Sequence, residues 1–311
     1  MEKVELEDRL RLKRNKKKAN WMDTVFIIAM LILPLIVFIN QWVFINFNSI
    51  LMAFQNPTGE FSWEPMIAVF RNFNGQVADP NFSIVLAFKN SMLWLLIGTL
   101  LMPFQLFISY FMYKRIAGYK VFQIIFYLPS IISGVVLASL YSSLIAPDGI
   151  IGILLEKAGV SPVPLFLADS DYAMGALIVY RLWLAWGGNM LLYGGAMARI
   201  PLEILESARL DGAGSFREFV SFIVPLVWPT TSTLLILSLT TIFAPGDIVM
   251  LLTQGSYKTM TLGYWIYHKT LYGGVAEYNE VAATGLIFTV VTVPVIMFIR
   301  WLIERVPVVE Y

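Results

Sequence analysis

The chain has 311 residues, of which 58% are hydrophobic and only 14% are charged. About a quarter of the residues in a soluble domain are charged, so most of this chain's exterior must face lipid. The net charge of +1 gives no indication of a nucleic-acid partner. Because the chain contains no cysteine, it has no thiolate metal site. Its single histidine, His268, argues against most hydrolytic active sites.

The N-terminal segment 1–20 carries eight Lys and Arg residues. We interpret it as a solvated cytoplasmic tail that sets topology, and a short surface helix on anionic lipid is the alternative. Residues 21–311 are predicted to form one transmembrane permease domain. The apolar run 24–45 is long enough to cross about 30 Å of hydrocarbon at about 1.5 Å per residue, so it is the first predicted span.

Five more apolar runs are each long enough to form a membrane-spanning helix. They lie at 91–113, 121–145, 173–198, 222–246 and 278–301. Proline occurs in four of these runs, including Pro129 in 121–145 and Pro225 and Pro229 in 222–246, and membrane helices tolerate it better than soluble helices do. The predicted fold class is all-α, a polytopic membrane protein with about six transmembrane helices.

Charge placement predicts the orientation of these spans. With the N-terminus inside, the inner segments are 1–20, 114–120, 199–221 and 300–311, and they hold sixteen of the 22 Lys and Arg residues. Positive residues accumulate on the cytoplasmic side of membrane proteins. We therefore expect both termini in the cytoplasm.

The inner segment 199–221 has the pattern of two short helices joined by a sharp turn. Pro201 suits the first turn of a helix, and Glu206 lies on that helix. Asp211 and Gly212 then interrupt it, since glycine adopts the positive φ that other residues avoid. A helix–turn–helix of this kind is shaped to sit in a groove of another protein.

This segment resembles the EAA loop of ABC importer permeases. Glu206-Ser207-Ala208 is followed by Asp211-Gly212-Ala213, and one departure is Ser207 where the motif has alanine. The sequence Asp-Gly-Ala in this loop is similar to the loop sequence of the carbohydrate branch of the family, which is typified by maltose and glycerol-phosphate permeases. The resemblance implies the type I importer permease fold, and it assigns coupling to the ATPase to Glu206, Ser207, Ala208, Asp211, Gly212 and Ala213.

The resemblance also implies a set of partners. These are a second homologous permease, two copies of an ATP-binding subunit, an extracellular solute-binding protein, a carbohydrate substrate and membrane lipid, with no nucleic acid. We expect no cofactor on this chain, because the sequence contains no phosphate-binding P-loop and ATP would bind to the partner. The chain is therefore expected to be a transport subunit and not an enzyme, in the plasma (inner) membrane of a prokaryote.

In the maltose permease family, the fourth and fifth spans line a sugar pathway. The resemblance places in that wall Arg181, Leu184, Ala185, Gly188, Thr241, Ile242 and Pro245. Arginine within a span costs about 2.5 kcal/mol or more. Arg181 therefore has two interpretations, contact with an acidic or phosphorylated sugar and anchoring at the outer headgroups.

Nearby aromatic residues have two possible roles as well. Trp183 and Trp186 are spaced to stack on a sugar ring, although packing or lipid contact is more typical of such pairs. His268 is expected at the outer surface, facing a binding protein. The predicted function is a permease subunit that forms half of the pathway for a sugar or oligosaccharide. A secondary transporter and a permease for a non-sugar solute are the alternatives, and the scarcity of Asp and Glu in the spans disfavours the first.

Overall fold

The computed structural model describes residues 21–75, 80–243 and 246–307, and these are predominantly helical. Within these ranges, the β-type pairing is a single isolated bridge between Gln55 and Phe61. The predicted all-α class is therefore confirmed. The predicted tail 1–20 and the predicted pathway residue Pro245 lie outside the described residues.

The helices are numbered here in chain order. The first six are α1 (Trp21–Met52), α2 (Glu64–Phe73), α3 (Ile84–Tyr113), α4 (Tyr119–Ile131), α5 (Gly134–Ile145) and α6 (Ile150–Lys157). The others are α7 (Ala173–Leu184), α8 (Gly187–Met197), α9 (Leu202–Leu210), α10 (Ser215–Leu226), α11 (Trp228–Phe243), α12 (Asp247–Leu252), α13 (Leu262–Tyr272) and α14 (Val275–Glu304).

Four stretches are long and apolar enough to cross a membrane: α1, α3, Gly134–Lys157 and Glu277–Glu304. The pair α10 and α11 passes the same test together, although it is bent by 68°, and would make a fifth. The sequence predicted about six spans. The difference arises because the predicted fourth span, 173–198, is divided into α7 and α8, each too short to qualify alone.

Each interruption of these helices has an identifiable cause. After Pro129, which has no amide hydrogen to donate, Ile132 and Ser133 adopt extended backbone between α4 and α5. Between α7 and α8, the carbonyl oxygen of Ala185 accepts a 2.6 Å hydrogen bond from the side chain of Gln105 on α3. The bend between α10 and α11 falls at Val227, between two prolines.

The longest buried helix, α3, lies at the centre of the packing. It contacts α8, α11 and α13, while α14 packs against α2, α13 and α11. One core cluster surrounds Trp265 and Ile84, and another surrounds Tyr110, Tyr193 and Leu205. By contrast, α1 is exposed along nearly its whole length. An apolar helix with that much exposed surface fits contact with lipid.

Candidate functional site

A cavity of about 700 Å³ lies between α3, α7, α8, α11 and α12. The structure brings together in its wall six residues that the resemblance assigned to the pathway: Arg181, Leu184, Ala185, Gly188, Thr241 and Ile242. These residues come from helices that are some 60 positions apart in sequence. The fold therefore brings these six residues to the wall of one cavity. Their role in binding solute stays a prediction.

The cavity wall combines apolar surface with neutral polar groups. Asn189 donates a 2.8 Å hydrogen bond to Oε1 of Gln105, which in turn donates to the carbonyl of Ala185. Both amides line the cavity, as do Ser91 and Ser238. Such a mixture suits a solute with hydroxyl groups and a partly apolar ring, since a few placed polar groups in an apolar pocket orient a small ligand.

Two charged residues, Arg181 and Asp247, also line the cavity. Both are exposed, and neither forms an ion pair with any residue in the described ranges. Asp247 stands at the first turn of α12, where a negative charge complements the helix dipole. Arg181 has no comparable local compensation, so its charge is available to a solute.

The aromatic residues considered from sequence lie elsewhere. Trp183 and Trp186 are not among the residues that line the cavity; their rings pack against Tyr180 and Phe126. His268 is half-buried, with its ring 4.8 Å from that of Tyr272. Burial lowers the pKa of His268 and so favours the neutral form of its ring. Packing is therefore the observed role of these side chains.

A second region, which we call the elbow, comprises α9, the turn 211–214 and the start of α10. Gly212 has φ +77°, and the amide of Ala213 donates a 3.0 Å hydrogen bond to the carbonyl of Ala208. This closes α9 with the left-handed glycine turn that commonly ends helices. The predicted helix–turn–helix and the positive φ of Gly212 are confirmed.

The elbow turns one face inward and another outward. Leu205 and Ala208 are buried, whereas the side chains of Leu210 and Phe216 are 88% and 72% exposed. Of the predicted coupling residues, Glu206, Ser207, Asp211 and Gly212 are exposed and Ala213 is partly buried. Ala208 packs in the core because it lies three positions after Leu205, on the same helix face. It therefore supports the elbow and offers no docking contact.

Sequence reasoning missed an ion cluster beneath the elbow. Glu218, on α10, contacts Lys114 at 3.2 Å and Arg209 at 3.1 Å. The hydrogen bond to Glu218 raises the pKa of Arg209 above its ordinary value, so the guanidinium stays charged. Glu218 is one of four acids in the inner segment 199–221, so the sequence did not single it out.

Residues 105–307 match the family of binding-protein-dependent transport system inner membrane components. This chain belongs to that family. The resemblance inferred from the loop is thereby confirmed, and the chain is a membrane transport component, not an enzyme. The matched residues include the elbow and most of the cavity wall, so both regions are parts of a permease.

Curated relatives are similar along part of the permease. The probable ABC transporter permease protein YesP of Bacillus subtilis is 32% identical over 127 residues, covering 40% of this chain and 41% of that protein. The sn-glycerol-3-phosphate transport system permease protein UgpA of Brucella abortus is 27% identical over 207 residues, covering 63% and 68%. The match to YesP therefore spans less than half of that relative's length.

The fold of the permease resembles a solved structure almost from end to end. That structure is a bacterial ABC transporter involved in the import of the acidic polysaccharide alginate, and the likeness has a TM-score of 0.75. It covers 90% of this chain and 96% of the other, at 22% sequence identity. At that identity the likeness establishes the ABC importer permease fold alone.

Proposed function

We propose that this permease is one of two membrane subunits of an ATP-driven importer for a sugar or oligosaccharide. The observation that carries the proposal is continuity between the elbow and the cavity. Helix α8, which lines the cavity, leads through residues 198–201 into α9, and α10 leads into the cavity-lining α11. A displacement of the elbow is therefore passed directly to two walls of the cavity.

ATP hydrolysis, in this proposal, belongs to two copies of a separate ATP-binding subunit. The exposed apolar side chains of Leu210 and Phe216, beside the acidic Glu206, form a surface suited to a groove on that subunit. Exposed apolar residues outside the lipid-facing helices favour a protein partner. Closure of the ATP-binding subunits would pull the elbow and rock the spans between inward-open and outward-open states.

The proposed orientation places the elbow and both termini in the cytoplasm of a prokaryotic cell. It is supported by the concentration of Lys and Arg in the inner segments 1–20, 114–120, 199–221 and 300–311. Solute would arrive from the opposite side on an extracellular binding protein. The exposed apolar surface of α1 would face lipid.

Two observations support a carbohydrate substrate: the polar side chains in the cavity wall and the solutes named for similar proteins. Amide and hydroxyl groups such as those of Asn189 and Ser238 hydrogen-bond sugar hydroxyls. UgpA is by its name a glycerol-phosphate permease, and the solved importer takes alginate. Both solutes are anionic and rich in oxygen, which suits a cavity that contains Arg181, whose charge is unpaired within the part of the chain that the structure describes.

Purification of the tagged chain from its own membrane, followed by reconstitution in liposomes, tests the proposal. We expect a second permease and two ATP-binding subunits to co-purify, and ATP hydrolysis to rise when carbohydrate-loaded binding protein is added. Solute uptake without ATP, driven by an ion gradient, would instead establish a secondary transporter. Mass spectrometry of the binding protein's ligand would reveal a non-sugar solute directly.

A further inference from the structure

Glu218 is an acid buried beneath the elbow, with only 1% of its side chain exposed. Its carboxylate accepts hydrogen bonds from Nζ of Lys114 at 3.2 Å and from Nε of Arg209 at 3.1 Å. A buried carboxylate is tolerated only when it is paired and hydrogen-bonded. The two cations therefore hold Glu218 in one position. We call these three residues the charge cluster.

The charge cluster joins three elements that meet at the inner end of the protein. Lys114 follows directly after α3, Arg209 is on α9 and Glu218 is on α10. Lys114 also donates to the hydroxyl groups of Tyr110, at 2.9 Å, and Ser215, at 3.1 Å. These contacts attach the end of α3 to both limbs of the elbow.

This attachment reaches the cavity through α3. Helix α3 supplies one wall of the cavity, including Ser91, Gly98 and Gln105. In sequence, however, α3 ends at Tyr113 and the elbow begins at Leu202, so the two are not directly connected through the backbone. The neighbouring walls on α8 and α11 are covalently continuous with the elbow. Movement of the elbow therefore has a covalent route to two walls and needs a non-covalent route to α3.

We propose that the charge cluster is the polar part of this non-covalent route, beside the ring contact of Tyr110 with Phe219. Lys114, Glu218 and Arg209 are then positioning residues that make α3 follow the elbow during transport. The inference rests on the proposed function, because it requires the elbow to be moved by an ATP-binding subunit. Charged hydrogen bonds to a buried carboxylate suit this role, since they resist separation more strongly than apolar contacts, which can slide past each other.

The test reports the movement of two cavity walls separately in the reconstituted complex. One cysteine is introduced at Gly98 on α3, where a side-chain carbon would meet no atom within 4 Å. In a second chain a cysteine is introduced at Leu237, an exposed residue of the α11 wall. Because the native chain has no cysteine, the rate at which a hydrophilic maleimide labels this chain, with and without ATP, reports each wall.

In the chains with Glu218 intact, we expect ATP to change the labelling rate at both Gly98→Cys and Leu237→Cys. The Glu218→Gln substitution removes the charge and keeps the shape. It is expected to reduce the ATP-induced change at Gly98→Cys about tenfold, the scale of a lost charged hydrogen bond, and to leave the change at Leu237→Cys in place. If Glu218→Gln lowers the amount of permease in the membrane, Lys114→Met replaces it as the test. The Lys114 side chain is only partly buried, and its loss should give the same result.

A matched control and a double variant sharpen the result. Glu304→Gln removes the acid of the exposed ion pair with Arg300 and should leave both labelling changes intact. Combining Glu218→Gln with Lys114→Met should be no worse than either alone, because the two residues act as one link. An unchanged response at Gly98→Cys, or equal loss at both cysteines, would overturn the proposal. The absence of any ATP response in the parent chains would instead contradict the proposed function.

Discussion

At the scale of single residues, Arg181 is the side chain whose role decides most about the substrate. It lines the cavity on α7 with its charge unpaired among the described residues. An ionised group in a membrane span is destabilising unless it reaches water, a partner or the headgroups. Its position in the cavity wall favours the solute contact over the headgroup anchor that the sequence left open.

The Arg181→Ala substitution should therefore lower uptake by about ten- to a hundredfold, the loss expected for a charged hydrogen bond of about 1.5–3 kcal/mol. Arg181→Lys should restore uptake only partly, because an ammonium group cannot reproduce the planar fork of arginine. Uptake into proteoliposomes, normalised to the amount of reconstituted complex, measures both variants. Arg71→Ala, at an exposed ion pair with Glu64, is the control.

Full activity in the alanine variant would remove Arg181 from the pathway. Equal activity with lysine and arginine would show that charge alone matters there, as it does for a headgroup anchor. Binding of solute to the isolated binding protein should be unaffected in every case, because that protein is untouched by these substitutions.

Other residues of the wall were not predictable one by one. Gln105 and Asn189 hydrogen-bond to each other across 84 positions of sequence. A single amide in an apolar run indicates an inward-facing side chain, but its partner depends on how α3 packs against α8. For the same reason Glu218 gave no sign of its pairing with Lys114.

At the scale of elements, the elbow was the most predictable part of the protein. Its two helices and their turn depend on neighbouring residues: Pro201 at the start, Gly212 at the end of α9 and Gly214 before α10. Local chemistry of this kind can be read from sequence. The interruption of the fourth predicted span was not readable, because a distant side chain, Gln105, binds the carbonyl at Ala185.

The elbow offers a prediction with a closely matched control. Gly212 has φ +77° and Gly214 has φ −66°, while a side-chain carbon at either would meet no atom within 4 Å. Gly212→Ala therefore differs from Gly214→Ala only in backbone strain, about 1–3 kcal/mol for a non-glycine residue held at positive φ. We expect Gly212→Ala to reduce ATP-dependent uptake severalfold and Gly214→Ala to leave it near the parent rate.

Membrane levels of both glycine variants should be similar, since the large apolar spans dominate insertion. The ratio of solute transported to ATP hydrolysed is the decisive quantity. Equal ratios in the two variants would mean that the shape of the turn does not matter for coupling.

At the scale of the whole molecule, composition and the loop motif together predicted the class, since low charge implies a membrane and the motif implies an importer permease. The cavity was not predictable from spacing, because α3, α7 and α11 meet only in the folded chain. The family resemblance, and not periodicity, supplied its candidate residues. Span bounds were less predictable, because apolar runs do not reveal where a helix bends, as at Val227.

In the proposed mechanism, the elbow is the surface that an ATP-binding subunit contacts. A photoreactive phenylalanine analogue placed at Leu210, 88% exposed on the elbow, tests this in the membrane. Phe61, 71% exposed in the loop between α1 and α2 on the opposite predicted side, is the matched control. Irradiation should join the Leu210 position, and not the Phe61 position, to an ATP-binding subunit. No such adduct at Leu210, or an equal yield from Phe61, would contradict the account.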